Sequence, residues 1–286
     1  MINSRAFLAK EGFIFDKKYH QIDRLFLKQF SAEEALEIRW MWQRIHSKES
    51  ATTILYRLPK TSRQANTLWS YDRARYVETF NWLFAEIAHL KPRSAIEMGC
   101  GSGTLLRFLQ ANFPELKVMG IDAAPNFVEI ARSSGVRAEV GDYRKIPAGN
   151  EGFDVVICNF GFDLADFEAS IKPHSIEEIG TSRFCPGCSD DFRAWFADYV
   201  ATWRSWGGKH ARLLLTGRLP NFGYHRGVIL AAADYGWRLD ATHSCLLKVS
   251  DAGQVEHFPA MVFEPGETDD IVLALANAER IFRGNS

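Results

Sequence analysis

The chain has 286 residues, of which 47% are hydrophobic and 24% carry a charge, and its formal net charge is −1. This length is sufficient for one large domain with an appendage, or for two modest domains, with a proper hydrophobic core. The balanced composition excludes a largely disordered chain and gives no overall basic field for nucleic acid.

The N-terminus and the cysteines indicate the compartment. Residues 1–10 lack the apolar stretch of a secretory signal, and no run of about 18 uncharged apolar residues suggests a membrane span. The five cysteines are an odd and scattered set, which is typical of reduced thiols rather than of a disulfide framework. We expect a cytoplasmic protein without a membrane partner.

The first part of the chain predicts helices. Ser31 followed by Glu34 is the pattern of a capping box, and it begins a predicted helix. Residues 47–70 lack a clean periodicity and are predicted to form a linker. Asp72 begins a second predicted helix, whose apolar residues recur on one face as far as Leu90.

Beyond this helix, short apolar runs alternate with helical stretches, which is typical of βαβ units and a mainly parallel sheet. The predicted strands cover residues 94–98, 117–121, 136–140, 153–158 and 211–216. The predicted helices between them cover about 103–112, 125–134, 190–205 and 223–236. Two later runs, 240–248 and 257–264, have no long helix between them and predict an antiparallel hairpin at the sheet edge. A last amphipathic helix over 269–283 has Asp269 and Asp270 at its favourable N-terminal end.

These patterns predict an α/β fold with a doubly wound, mainly parallel sheet of about seven strands and a C-terminal antiparallel hairpin. We divide the chain into an N-terminal helical cap over residues 1–70 and a main domain over 71–286, with an insertion over 163–190. Residues 1–75 hold 14 Lys and Arg against 8 Asp and Glu, a net charge of +6. A segment of this kind is more often a solvated helical surface than a docking surface.

A glycine-rich turn follows the first predicted strand. Glu97, Gly99, Cys100, Gly101 and Gly103 lie in this turn, where the glycines let the backbone turn tightly and approach a ligand closely. The glycine spacing differs from the G-x-G-x-x-G of dinucleotide-binding loops, and no Gly-Lys-Ser/Thr follows as in a P-loop. The turn therefore indicates a binding loop of another kind, and a tight turn without a ligand stays an alternative.

Polar side chains follow the next strands where each one ends. Asp122 ends the second strand and offers an acceptor for a ribose diol. Asp142 and Tyr143 follow the third strand, where the carboxylate can accept from an adenine amino group, and Asn159 ends the fourth. These strand ends meet at one edge of the sheet, which is where open α/β sheets bind ligands.

With these residues in view, residues 94–162 resemble the cofactor half of the class I S-adenosylmethionine-dependent methyltransferases, which have a Rossmann-like fold. The resemblance implies S-adenosylmethionine as the cofactor and S-adenosylhomocysteine as its product. It implies that Glu97 and Gly99–Gly103 surround the methionine part, Asp122 and Ala123 the ribose, Asp142 and Tyr143 the adenine, and that Asn159 lies near the sulfonium. It extends over about 94–264, without the usual proline before strand five, and does not cover 1–70 or 163–190.

The residues for the acceptor are less defined. Methyl transfer from a sulfonium is an in-line displacement that mainly requires alignment of the acceptor and exclusion of water, so a base is optional. Asp163, His174 and His225 are candidates for such a base, and we assign no catalytic residue. Phe162, Asp163 and His225 are candidates for the acceptor pocket.

Cys185-Pro-Gly-Cys188 is a C-x-x-C turn, which can form half of a zinc site or a redox pair. The second half of a zinc site is missing from the sequence. We predict no metal and keep three alternatives, which are free thiols on a loop, zinc with distant ligands, and redox chemistry.

The leading hypothesis is a methyltransferase for a small molecule, because near-neutral charge, a helical cap and an insertion suit an enclosed pocket. An RNA or protein methyltransferase that docks through its basic N-terminal segment is the first alternative. The run from Asn159 to Phe162 does not match the Asn/Asp-Pro-Pro-aromatic pattern of amino-methylating nucleic-acid enzymes, so we do not expect nucleic acid as a partner. A non-catalytic regulator that binds S-adenosylmethionine is the second alternative.

Overall fold

The computed structural model describes residues 2–46, 58–147, 152–162, 167, 186–251, 253–268 and 270–282. The N-terminal helices are α1 (Ser4–Glu11), α2 (Tyr19–Leu27), α3 (Ala32–His46), α4 (Ser62–Leu68), a short 3-10 helix (Trp69–Asp72) and α5 (Arg73–Leu90). The later helices are α6 (Thr104–Asn112), α7 (Pro125–Ser133), α8 (Pro186–Trp206), α9 (Phe222–Asp234) and α10 (Ile271–Phe282). The strands are β1 (Ser94–Met98), β2 (Lys117–Asp122), β3 (Ala138–Val140), β4 (Phe153–Asn159), β5 (Gly207–Thr216), β6 (Trp237–Leu239), β7 (Cys245–Asp251) and β8 (Gln254–Pro265).

The strands form one sheet of eight in the order β3-β2-β1-β4-β5-β8, and both β6 and β7 pair with the far side of β8. β1 to β5 are parallel, while β8 is antiparallel to β5. The predicted α/β fold with a mainly parallel sheet and a C-terminal hairpin is therefore confirmed. Among the described helices, none combines the length and the apolarity needed to cross a membrane.

Two hydrophobic cores cover the two faces of the sheet. Successive residues of a strand point to opposite faces, so Leu213 and Leu215 lie in the core under α8, α9 and α10, and Leu214 lies in the core under α1, α5, α6 and α7. The three leucines are fully buried, and burial of one such side chain contributes about 1.5–3 kcal/mol. Because both faces of the sheet are buried, the sequences of the parallel strands are continuous apolar runs.

The N-terminal segment is packed more closely than the sequence predicts. The ring of Phe7 in α1 lies 5.3 Å from that of Phe108 in the main core. The linker predicted over 47–70 is wrong for its described part, because α4 occupies Ser62–Leu68. Thr61 begins this helix by accepting a hydrogen bond from the amide of Gln64, and this capping signal is present in the sequence.

The C-terminal boundaries differ from the prediction for local reasons. β7 begins at Cys245 rather than 240 because the Asp240 carboxylate accepts from the amides of Thr242 and His243 and forms a turn there. The short strand β6 was not predicted, and it follows Gly236, whose φ of 73° ends α9. The capping box at Ser31 and Glu34 is confirmed by its side-chain hydrogen bonds. The last helix begins at Ile271 rather than 269, and the carboxylate of Asp270 accepts from the amide of Leu273 at its N-terminal end.

Candidate cofactor site

The glycine loop between β1 and α6 turns through three left-handed residues. The φ angles of Gly99, Gly101 and Gly103 are 80°, 51° and 71°. A Cβ at Gly99 would lie 2.6 Å from Cα of Gly161, and one at Gly103 would lie 3.1 Å from Cβ of Ala131. A Cβ at Gly101 would meet nothing within 4 Å. The first and third glycines therefore permit close packing, whereas the middle one leaves open space beside the backbone.

The end of β2 holds this loop in place. The amides of Gly99 and Cys100 donate to the carbonyl oxygen of Ile121 at 2.8 and 3.0 Å. The Asp122 carboxylate accepts from the amide of Gly101 at 2.7 Å and from that of Ala124 at 2.9 Å. Burial raises the pKa of Asp122, and these two amide bonds oppose that rise. Asp122 thus fixes both the loop and the start of α7.

Glu97 is the most unusual group of the site. It is 2% exposed, and its Oε2 has no hydrogen-bond partner in the part of the chain that the structure describes. Burial, and then the charge of Asp122, raise the pKa of Glu97 well above its usual value. A buried carboxyl oxygen without a donor is costly, and a cation placed beside it would remove that cost. The orphan oxygen and the open space at Gly101 fit a ligand with a positively charged group, such as the ammonium of a methionine moiety.

Cys100 has a packing role in this loop. Its side chain is 6% exposed, and a Cβ at Gly120 in β2 would lie 2.5 Å from its Sγ. Burial raises the pKa of the thiol well above its usual value, so it stays protonated. Cys100 therefore contributes backbone and shape to the site rather than a reactive sulfur.

Asp142 and Tyr143, just after β3, have partners that were not predicted from the sequence. Arg144 donates to both carboxylate oxygens of Asp142, at 2.9 and 3.0 Å, and it lowers the pKa of that carboxyl. The hydroxyl of Tyr143 donates to the carbonyl oxygen of Gly161, and its ring lies 5.9 Å from that of Tyr199. The end of β3 is thereby tied to the end of β4, and the Asp-x-Arg spacing was the available signal.

Asn159 ends β4 in a strained turn. Its Oδ1 accepts from the hydroxyl of Thr216 at 2.8 Å, which joins the ends of β4 and β5. The next residue, Phe160, has a φ of 56°, which is rare for a side chain of this size. The guanidinium of Arg75 lies 4.1 Å from the ring centroid of Phe160. Arg75 belongs to α5 and is a neighbour that no local sequence signal predicts.

Gly161, the residue after Phe160, determines how closely the ends of β1 and β4 approach each other. A Cβ at Gly161 would lie 2.2 Å from the carbonyl oxygen of Met98. This separation is far below any real contact, so only glycine fits there without a shift of both strand ends. The glycine loop and the end of β4 are therefore one compact unit.

Two acceptor candidates lie in the hydrophobic core. Phe162 is 8% exposed, and its ring packs 5.1 Å from that of Phe196. His225 is 3% exposed in α9, with Nε2 3.1 Å from the carbonyl oxygen of Leu219 and its ring 5.2 Å from that of Phe282. Burial lowers the pKa of His225 to about 4, so the neutral imidazole is stable there. We leave both residues out of the acceptor site proposed below.

The remaining candidates, Asp163, His174 and Cys185, lie outside the described residues. Cys188 falls within α8, and its side chain is not described. The described residues contain no group of three or more His, Cys, Asp or Glu arranged to hold a metal ion. The alternatives for the C-x-x-C turn stay open.

The N-terminal helices are bonded to the helix that follows the glycine loop. Asn66 of α4 is fully buried, accepts from the hydroxyl of Thr104 at 3.1 Å and donates to the carbonyl oxygen of Glu11 at 2.8 Å. Arg107 of α6 forms an ion pair with the Glu11 side chain at 2.7 Å. These bonds join parts of the chain that are far apart in sequence, which explains why the sequence analysis missed them.

The fold and the site define a Rossmann-like domain of the methyltransferase type, with a parallel sheet closed by an antiparallel strand and a glycine loop flanked by acids at the carboxyl edge. Residues 95–175 match the family described as "Methyltransferase domain". This match supports, for this part of the chain, the resemblance to the class I S-adenosylmethionine-dependent methyltransferases that the sequence indicates.

Three curated relatives share part of the chain. It is 31% identical over 88 residues to demethylmenaquinone methyltransferase of Deinococcus radiodurans, covering 28% of this chain and 36% of the relative. It is 39% identical over 62 residues to trans-aconitate 2-methyltransferase of Mycobacterium sp. (strain KMS), covering 22% and 24%. It is 33% identical over 127 residues to the tRNA N(3)-methylcytidine methyltransferase Mettl2 of Drosophila melanogaster, covering 37% of each chain. The chain thus spans between about a quarter and about two fifths of the length of these relatives.

Proposed function

We propose that this protein transfers a methyl group from S-adenosylmethionine to a small-molecule acceptor by in-line displacement. The observation that carries the proposal is the buried Oε2 of Glu97, which has no partner among the described residues, together with the open space at Gly101 in the turn that follows. A buried carboxyl in this position is explained by a cationic ligand and has no partner among the described side chains.

Residues at different strand ends hold different parts of the cofactor. Glu97 pairs with the ammonium of the methionine part, and the loop from Gly99 to Gly103 lies along it. Each oxygen of Asp122 accepts one amide hydrogen bond and retains a lone pair for a ribose hydroxyl, beside the exposed Ala123. When bound, S-adenosylmethionine supplies an electrophilic methyl group on its sulfonium.

The adenine and the sulfonium end lie further along the same edge. Asp142, although paired with Arg144, is partly exposed and has lone pairs for the adenine amino group. Tyr143 flanks the ring, and Asn159 lies near the sulfonium. The protein's contribution to rate is then to align the acceptor with the methyl group and to exclude water.

Two observations support a small acceptor. Two of the relatives are methyltransferases named for demethylmenaquinone and trans-aconitate. The net charge of −1 provides no general attraction for a polyanion.

Titration of the purified protein with S-adenosylmethionine and S-adenosylhomocysteine tests the cofactor site. In the G101A variant the new methyl group enters the open space, so we expect affinity to fall about tenfold or more. The G135A variant is the matched control, because Gly135 also has a positive φ and open surroundings but lies at the end of α7. Equal affinities of G101A and wild type would contradict the placement of the cofactor.

Transfer of a labelled methyl group into a cell extract, separated into small-molecule, RNA and protein fractions, tests the acceptor. We expect the label in the small-molecule fraction. The Mettl2 relative favours RNA as a second candidate, and label in RNA, with binding that weakens steeply with salt, would establish it. Tight binding without transfer to any fraction would support a non-catalytic regulator.

A further inference from the structure

A second crevice, here called the hairpin cavity, lies beside the ends of β5 and β8. Its volume is about 290 Å³, close to the lower limit of the roughly 300–1,000 Å³ of common ligand pockets. It is lined by the N-terminal helices, the loop after β5 and the β7–β8 hairpin, with Tyr19, Tyr71, Asp72, Arg218, Asp251 and Glu256 among its residues. This size suits a small molecule or one end of a larger molecule.

The hairpin cavity lies at the carboxyl edge of the sheet. β5 ends at Thr216, which pairs with Ala260 of β8, and Arg218 follows in the next loop. β8 begins at Gln254, so its first half and β7 extend past this edge as an antiparallel ribbon. The ribbon forms one wall of the cavity and the N-terminal helices form the other.

A chain of contacts joins the hairpin cavity to the candidate cofactor site. Asp72 in its wall forms an ion pair with Arg75 at 2.7 Å. Arg75 lies over the ring of Phe160, and Phe160 follows Asn159, the residue proposed to lie near the sulfonium. The cavity is therefore in the right part of the molecule for a methyl acceptor.

The charges that face the cavity are mostly negative. They are three carboxylates and one guanidinium, those of Asp72, Asp251, Glu256 and Arg218. Arg218 is already paired with Asp72 at 2.9 Å, and Asp251 is paired with the buried Arg73 at 3.3 Å. The side chain of Glu256 is exposed and makes no hydrogen bond or ion pair with any residue in the described part of the chain. An incoming cation would find one free carboxylate, that of Glu256, whereas the other two carboxylates are already balanced by guanidinium groups.

Two tyrosines add an aromatic wall. The rings of Tyr19 and Tyr71 are nearly parallel, with centroids 6.0 Å apart and an angle of 13° between their planes. The two rings provide apolar area for an organic ligand, and the face of Tyr19 already attracts a cation, because the guanidinium of Arg73 lies 5.3 Å from its centroid. The cavity therefore combines aromatic surface with unpaired negative charge.

We propose that the hairpin cavity binds a protonated amine group of the methyl acceptor, so that the substrate is a small amine with an apolar or aromatic body. This inference rests on the proposed function, because it identifies the cavity as the acceptor side of the same site. Glu256 provides the free carboxylate and the two tyrosines provide the apolar wall.

Three probes that differ in the charge of one group test this inference. Tyramine is cationic at pH 7.5, tyrosol is neutral and 4-hydroxyphenylacetate is anionic, and all three carry the same phenol ring. Calorimetric titration into the wild-type protein saturated with S-adenosylhomocysteine is expected to show tyramine binding about fivefold or more tightly than the other two. The E256Q variant should lose most of this preference.

The E115Q variant is the matched control, because Glu115 is exposed just before β2, at the opposite edge of the sheet. It should bind tyramine like the wild type. Binding of the carboxylate as tightly as the amine, binding of none of the probes, or an unchanged tyramine preference in E256Q would overturn the inference. Affinity for S-adenosylhomocysteine is measured beforehand, so a failed amine titration in a protein that binds this product contradicts the inference and leaves the proposed function intact.

Discussion

The E97Q variant is expected to stabilise the free protein and to weaken its binding of S-adenosylmethionine. The Glu97 carboxyl is 2% exposed and one of its oxygens has no partner among the described residues. Because burial and the nearby Asp122 raise its pKa well above 4.5, the folded chain favours the protonated carboxyl. The unfolded chain releases this proton above pH 4.5, so folding requires protonation at neutral pH.

The sign and size of the effect follow from this linkage. Below the unfolded pKa both states carry the proton, and the contribution of Glu97 to stability is fully present. As the pH rises toward the raised folded pKa, stability is lost at about 1.36 kcal/mol per pH unit. Between pH 4.5 and pH 7 the loss amounts to at most about 3.4 kcal/mol. The E97Q variant does not titrate here, so its advantage over the wild type should be smallest near pH 4.5 and grow with pH.

Urea unfolding between pH 4.5 and pH 8 measures this difference, and calorimetric titration at pH 7.5 measures the affinity for S-adenosylmethionine. We expect affinity to fall about tenfold or more, since the variant loses the charge that pairs with the ammonium. The control is E86Q, because Glu86 is also buried and its pKa is also raised, but it pairs with His243 at 3.2 Å. E86Q should stabilise the protein less than E97Q does, because it also loses the ion pair with His243. A wild-type pH dependence in E97Q, or an unchanged affinity, would refute the reasoning.

Three further substitutions test the packing around the site. In G161A the new Cβ would lie 2.2 Å from the carbonyl oxygen of Met98, so the variant should lower the free energy of unfolding by about 2 kcal/mol or more and weaken cofactor binding. The control G208A, whose Cβ has its nearest contact at 3.5 Å, should leave the free energy of unfolding unchanged. Equal free energies of unfolding for the two variants would contradict this prediction. Burial lowers the pKa of His225 from 6.5 to about 4, so stability is complete above pH 6.5 and should decrease by about 2.5 kcal/mol between pH 7 and pH 4.5. Urea unfolding of H225L at both pH values should show a smaller decrease in the free energy of unfolding than the wild type shows. An identical decrease would mean that other groups cause the acid sensitivity. N66A removes two buried hydrogen bonds and should lower the free energy of unfolding, measured by chemical denaturation, by about 1–3 kcal/mol. A decrease of less than about 0.5 kcal/mol would contradict the contribution assigned to these bonds.

The parts of the site that lie close together in sequence could be predicted. The glycine loop and the acid at the end of β2 follow from strand and turn patterns within about thirty residues, which is the length of one βαβ unit. Their spacing was sufficient to exclude dinucleotide and phosphate loops and to indicate the family, which the match over residues 95–175 bears out. The hairpin of β7 and β8 was also predicted from pattern alone.

The parts that depend on contacts distant in sequence could not be predicted. Asn66 lies 38 residues from Thr104, and Arg75 reaches Phe160 across more than eighty positions of the chain. Nothing in a local pattern distinguishes such residues from ordinary helix surface, because only the packed sheet brings them together. The hairpin cavity is a product of the same kind of contact, since it joins the N-terminal helices to the β7–β8 hairpin.

The turn after β4 contains one of the two non-glycine residues with a positive φ in the described part of the chain, the other being Lys91 at the end of α5. Phe160 adopts a left-handed conformation there, and Gly161 approaches the Met98 carbonyl closely. At the amino edge, Asp154 accepts ordinary hydrogen bonds from the amides of Arg93 and Ser94 at 2.8 and 3.2 Å. Strained groups persist where the surrounding structure holds them and where function requires their position. Gly161 lies against Met98 and Gly99, so the G161A variant tests the packing of this edge, whereas the E97Q variant tests the buried carboxyl beside it in sequence.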